Sequence, residues 1–173
     1  HPRRCDEKTD RQQGSLLGPQ YSLTDIREYL DAHAIPYHEV PRDDLPQKIA
    51  TLVADEKVVG LMQGRMEFGP RALGNRSIIG DPRSKTMQSV MNLKIKYRES
   101  FRPFAPSILQ DRVSEYFEMD ASQESPYMLL VSDVRPEKRT PLSPQEEALW
   151  GIEKLNTVRS TIPAVTHVDY SAR

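Results

Sequence analysis

Apolar positions along the chain change their period several times. In Tyr21–Ile35 (YSLTDIREYLDAHAI), Ile26, Tyr29 and Leu30 recur at helical spacing. This predicts a helix that Ser22 or Thr24 can cap and Pro36 ends. In DDLPQKIATLVADEK, Leu45, Ile49, Leu52 and Val53 fall on one face of a second helix. Val58–Gln63 (VVGLMQ) is short, apolar and β-branched at its start, a strand pattern, and Ser77–Gly80 (SIIG) reads as a brief second strand. Asp81-Pro82 is a helix-start signal, and Met87, Val90, Met91 and Ile95 give that helix an inward face running to about Tyr97. At α-helical spacing Lys96 lies about 140° round from Met91, away from this stripe.

Beyond this helix the pattern loosens. Pro103 and Pro106 impose an extended segment on RESFRPFAPSIL. DRVSEYFEM predicts a short helix and Tyr127–Ser132 (YMLLVS) a strand. Residues 133–160 show no period and read as a long excursion, either a lid or a partly disordered segment. IPAVTHVDYSAR begins like a strand and leads to His167, Asp169 and Arg173. Helices and strands interleave, so the expected class is α/β. Residues 1–13 are polar and mixed in charge, the pattern of a tail or linker.

Composition narrows the function classes. A chain of 173 residues suggests one compact domain, with roughly 70% of its unfolded surface buried. A single cysteine, Cys5, excludes an internal disulfide and suits a reducing, cytoplasmic setting. No apolar run is long enough to span a bilayer. The formal net charge of -1 hides an asymmetry: Gly64–Arg112 holds ten Lys or Arg against four Asp or Glu, leaving -7 for the rest. A basic island in an acidic chain points to a small anionic ligand more than to a polyanion, so a nucleic-acid partner is not favoured.

The island opens with GRMEFGPRALGNRS, Gly64–Ser77, where Arg65, Arg71 and Arg76 stand among three glycines and a proline. Glycines let a backbone approach a ligand and aim its N–H groups, and arginine grips phosphate or carboxylate oxygens bidentately. The turn is neither a Walker A loop nor GxGxxG. Equally, the arginines could pair with Glu67, Asp81 and Glu99. A second cluster, Lys96, Arg98 and Arg102, lies in KYRESFRPF. There Arg102 sits between Phe101 and Pro103-Phe104, which would fix its pose or simply let it snorkel from a core. His33 and His38 lack a metal-ligand spacing. His167 with Asp169 reads either as a ligand-assisting pair or as an ordinary strand-end pair. No nucleophilic triad is legible.

GRMEFGPRALGNRSIIGDPR, NLKIKYRESFRPFAPSIL with EYF after it, and PAVTHVDYSAR closely resemble the C-terminal domain of the O-carbamoyltransferases, of the nodulation-factor and tobramycin carbamoyltransferase type. The resemblance covers about residues 14–173. It implies a YrdC-like fold, a twisted open mixed sheet with flanking helices. It also implies an activity, formation of carbamoyl adenylate from carbamoyl phosphate and ATP, with Mg as the companion of ATP. An N-terminal actin-like unit, with its own metal, would be the partner that passes the carbamoyl group to an alcohol. Arg71, Lys96 and Arg102 match positions expected to hold carbamoyl phosphate and its reacting phosphate; Arg76 and Arg173 match further basic positions of that pocket. Glu67 and Asn75 match the motif without an implied role. The family's pattern continues past Arg173 with a serine that helps bind nucleotide. A fragment with an incomplete sheet, inactive by itself, is therefore the expectation. A YrdC-like RNA-binding module and a purely structural module are the alternatives.

Overall fold

In the computed structural model, which describes residue 10 and residues 12–173, the elements follow one another with little shared packing. Most of the 1–13 tail, with Cys5, lies outside the described residues. Helix α1, Leu23–Ala32, begins where Ser22 and Asp25 close a reciprocal cap. The Asp25 N–H donates to Ser22 Oγ (3.1 Å) and the Ser22 N–H to Asp25 Oδ2 (2.8 Å). Helix α2, Leu45–Ala54, starts with Pro46 in its first turn. Neither helix buries a residue, although both carry the apolar faces expected of them.

Strand β1, Val59–Met62, pairs antiparallel with β2, Arg76–Ile79, with Val59 opposite Ile79 and Met62 opposite Arg76. The glycine- and arginine-rich motif is the loop between them. Residues 15–19 run alongside this loop: the Gly18 N–H donates to Met66 O, the Met66 N–H to Pro19 O and the Phe68 N–H to Ser15 O. A Cβ at Gly18 would stand 2.9 Å from Met66 Cβ, so the close approach needs glycine.

The third helix starts later than Asp81-Pro82 predicts. Asp81 does not cap it; its buried carboxylate turns to Arg83, accepting from the backbone N–H (2.9 Å) and from Nη2 (2.7 Å). That closes a turn, and α3 spans Met87–Val90 before widening into a π-helical turn, Met91–Ile95. Met87 and Met91 are buried as expected, but Ile95 is exposed. Gly80 makes room for them: a Cβ there would meet Met87 Sδ at 2.6 Å.

Helix α4, Val113–Tyr116, matches the predicted short helix. The run from Tyr127 does not form its predicted strand. Met128 has φ 54° and Leu129–Val131 stay exposed, so only β3, Ser132–Asp133, pairs, antiparallel to β4, Ser171–Ala172. The 133–160 stretch is structured. Arg139 bridges Ser160, and between them α5, Pro144–Glu147, is capped by Ser143 with Glu146. Ile162–His167 is not a strand: Pro163 opens a 3₁₀ turn, Pro163–Val165, stitched by Thr166 Oγ1 donating to Ile162 O (2.9 Å).

Helices and small antiparallel sheets together keep the chain in the α/β class. Among the described residues the sheets are two two-stranded ribbons, where an open mixed sheet was expected. One apolar cluster holds Val113, Phe117, Val134, Ile162, Val165 and Ala172, and a second holds Met87, Met91 and Ala164; Phe104 packs against both. The accessible surface is 13166 Å², where a compact monomer of 19.8 kDa exposes roughly 8,600 Å². Large apolar side chains are exposed on α1 and α2 and beyond them, Leu23, Leu45, Phe68 and Trp150 among them. No helix is long and apolar enough to cross a membrane among the described residues.

Candidate functional site

The loop between β1 and β2 is organised around a carboxylate. Oε1 of Glu67 accepts from the backbone N–H groups of Leu73 (2.9 Å), Asn75 (2.6 Å) and Arg76 (3.4 Å). Gly69 (φ 147°) and Gly74 (φ 119°) supply the backbone angles that curl the chain around it. Burial pushes the Glu67 carboxyl up, but the N–H bonds from Asn75, Leu73 and Arg76 outweigh this and hold it below its ordinary value. The turn was expected to aim its amides at a ligand; these three are already taken by Glu67.

Arg76 is likewise turned inward. Its Nη1 donates to Gln63 O (2.8 Å) and Asn75 O (2.8 Å) and its Nη2 to Gly64 O (3.2 Å), so it clamps both sides of the loop. Asn75 Nδ2 adds a bond to Arg65 O (2.9 Å), and Arg65 Nη1 reaches Gly18 O (2.9 Å). Arg71 differs from all of these. It is exposed and has no hydrogen-bond or ion-pair partner among the described residues. It lines an open depression with Glu67, Gly69, Pro70 and Arg76. A rigid loop with one spare guanidinium can receive an oxyanion without rearranging its own backbone.

The second basic cluster is built on Asn92, which is fully buried. Its Nδ2 donates to Arg102 O (2.8 Å) and Ser100 O (3.1 Å), while its Oδ1 accepts from Arg98 Nε (2.6 Å). Arg98, not Arg102, lies over the Phe104 ring, 4.9 Å from its centroid. Arg102 instead donates Nε to Glu99 Oε2 (2.9 Å) with both side chains half exposed. Lys96 is exposed just after the π turn. Its N–H donates to Met91 O (2.9 Å), so five residues close one turn and its backbone returns over Met91. Arg173 is exposed and donates Nε to Met128 O (3.2 Å).

The structure thus brings Arg71 and Arg76 to one depression; Lys96, Arg102 and Arg173 are not among the residues lining it. A second recess, of about 170 Å³, is walled by Phe101 and Pro103 on either side of Arg102, with Gln88, Leu155, Arg159 and His167. Sequence reasoning passed over Asn92, which α-helical spacing puts about 100° round from Met91 and off the apolar stripe, and Arg159, which lies in the aperiodic excursion. Among the described residues no group of three His, Cys, Asp or Glu is placed to hold a metal ion.

Comparison with known proteins gives these features a setting. The family described as carbamoyltransferase C-terminus matches residues 50–173. An uncharacterized protein of Synechocystis is 60% identical over 172 residues, which are 98% of this chain and 28% of that protein. Nodulation protein NolNO of Sinorhizobium fredii is 45% identical over 76% of this chain and 16% of its own length. Nodulation protein NolO of Bradyrhizobium diazoefficiens is 42% identical over 76% of this chain and 20% of its own. The chain spans less than a third of the length of each of these relatives.

Proposed function

Since this chain belongs to the carbamoyltransferase C-terminus family, we propose that it binds carbamoyl phosphate and ATP and prepares carbamoyl adenylate for transfer to an alcohol by a longer protein. The chemistry balances with one water. Carbamoyl phosphate loses its phosphoryl group to water as phosphate. The carbamate oxygen then attacks the α-phosphorus of ATP, and pyrophosphate leaves. No covalent protein nucleophile is required; the protein orients two polyanions and offsets their charge. The actin-like unit that would complete the transfer, and the YrdC-like sheet that the two short ribbons would help to build, belong to the same proposal. Mg would enter with the nucleotide, as the companion of its phosphates.

The observation that carries this reading is Arg71. In a loop where Glu67 engages three amides and carbonyls engage Arg65 and Arg76, the Arg71 guanidinium has no partner among the described residues and is open to a ligand. Lys96 and Arg102 supply charge for the same ligand. Arg102 exchanges its exposed Glu99 partner, a solvent-screened and therefore weak surface pair, for a dianion. Thermal denaturation tests it: millimolar carbamoyl phosphate raises Tm of the wild type, by about 2.7 kcal/mol of stabilisation at a hundred times Kd. Arg71→Ala, Lys96→Ala and Arg102→Ala lose most of the shift. A Tm indifferent to the ligand in the wild type refutes the assignment.

A further inference from the structure

The 170 Å³ recess beside Phe101 and Pro103 contains an arginine that no carboxylate neutralises among the described residues. Arg159 is 3% exposed, and no carboxylate pairs with it among the described residues. Its Nη2 donates to Lys154 O; its Nε, shut off from water, has no partner. Burial holds its guanidinium below the usual value, which still leaves arginine charged. An unpaired buried charge costs several kcal/mol unless something supplies its missing bonds.

His167, which also lines the recess, carries an acceptor. Asp169 Oδ1 accepts from Ser171 Oγ (2.7 Å), so the one hydroxyl proton of Ser171 points to Asp169. Ser171 Oγ must then accept from His167 Nδ1, 3.0 Å away. This fixes the tautomer with the proton on Nδ1 and leaves Nε2 a bare acceptor, also buried without a partner. Burial, against the pull of Asp169, pushes His167 below its ordinary pKa, which keeps the ring neutral.

We propose that this recess receives the carbamoyl end of carbamoyl phosphate, with Arg159 donating to the carbonyl oxygen and His167 Nε2 accepting from the amide N–H. The inference rests on the function proposed above and adds to it the place and the selectivity of the amide end. Each side chain turns toward the cavity to complete a bond it lacks in this structure. A recess of this size admits a small planar group. Phe101 and Pro103 flank Arg102, so the phosphate end emerges beside a residue already assigned to it. A carbamoyl group is selected over an acetyl group because only the former has an N–H for His167; a buried acceptor left unpaired penalises the analogue.

Calorimetric titrations with carbamoyl phosphate and with acetyl phosphate test this. The wild type should bind carbamoyl phosphate at least about tenfold more tightly, a difference of about 1.4 kcal/mol. His167→Leu should bring the two affinities together with little change for acetyl phosphate, and Arg159→Gln should weaken both. Side-chain ¹⁵N spectra of His167 in the wild type give a readout that no variant's folding can blur: Nε2 should shift toward a hydrogen-bonded acceptor on adding carbamoyl phosphate and not on adding acetyl phosphate. Tight binding without discrimination, or an Nε2 resonance that does not move, overturns this inference and leaves the proposed function standing. No binding of either compound overturns both.

Discussion

Glu67 and Arg71 have complementary tasks in one loop. Glu67 binds the loop's own N–H groups and Arg71 faces outward. A carboxylate held below its ordinary value stabilises the fold at every pH above that value, and the contribution fades as pH falls through the lowered one. Glu67→Gln should therefore cost about 1–3 kcal/mol near neutrality. The Tm gap between wild type and variant should close as pH drops below about 4.5; a gap constant from pH 7 to 3 would show that the charge is irrelevant. Asn92 is the corresponding fixed point of the second cluster. Asn92→Ala removes two donors to the 100–102 backbone and the partner of Arg98, with an expected loss of about 2–4 kcal/mol. Urea denaturation reads it, and a loss under about 0.5 kcal/mol, the level of an ordinary surface substitution, would contradict this role. Residue types were legible in the sequence; their partners were not. Glycines and arginines mark a turn around an anion, and the turn does surround one, but it is the carboxylate of Glu67, brought in by chain curvature that composition does not specify.

At the scale of elements, local signals were accurate where they were complete. Ser22 with Asp25, and Pro36 behind, delimit α1; β-branched residues delimit β1. Where two signals competed, tertiary partners decided. Asp81 has the side chain of an N-cap, yet Arg83 two residues on captures it and the helix waits until Met87. Leu129–Val131 have strand composition but pair with no strand among the described residues, and stay exposed. The π turn from Met91 to Ile95 has no period-based signature, and it alters where Lys96 falls. α1 has ten residues and buries none, a length at which an isolated helix is marginal in water. Amide exchange should therefore be fast through α1 and slowest around Phe117, Val134 and Ile162. Equal protection of α1 and that cluster would mean that the apolar face of α1 is covered in solution.

For the whole molecule, the surface is about half as large again as a compact monomer's, with Leu23, Tyr29, Trp150 and the 129–131 run exposed. Such uncovered apolar area suits a chain that matches less than a third of each relative's length. Two-stranded ribbons, marginal by themselves, suit it equally. The α/β class and the basic island were readable from the sequence; the absence of a large shared core was not, because a hydrophobic face looks the same in a sequence whether or not anything covers it. In the function proposed above, guanidinium groups distant in the chain grip one small dianion. Isothermal titration of carbamoyl phosphate into the wild type, Arg71→Ala, Arg102→Ala and the double variant tests that claim most directly. One-to-one binding, weakened about tenfold or more by each single change, is the predicted result. Heats that are the same in all four proteins would contradict it.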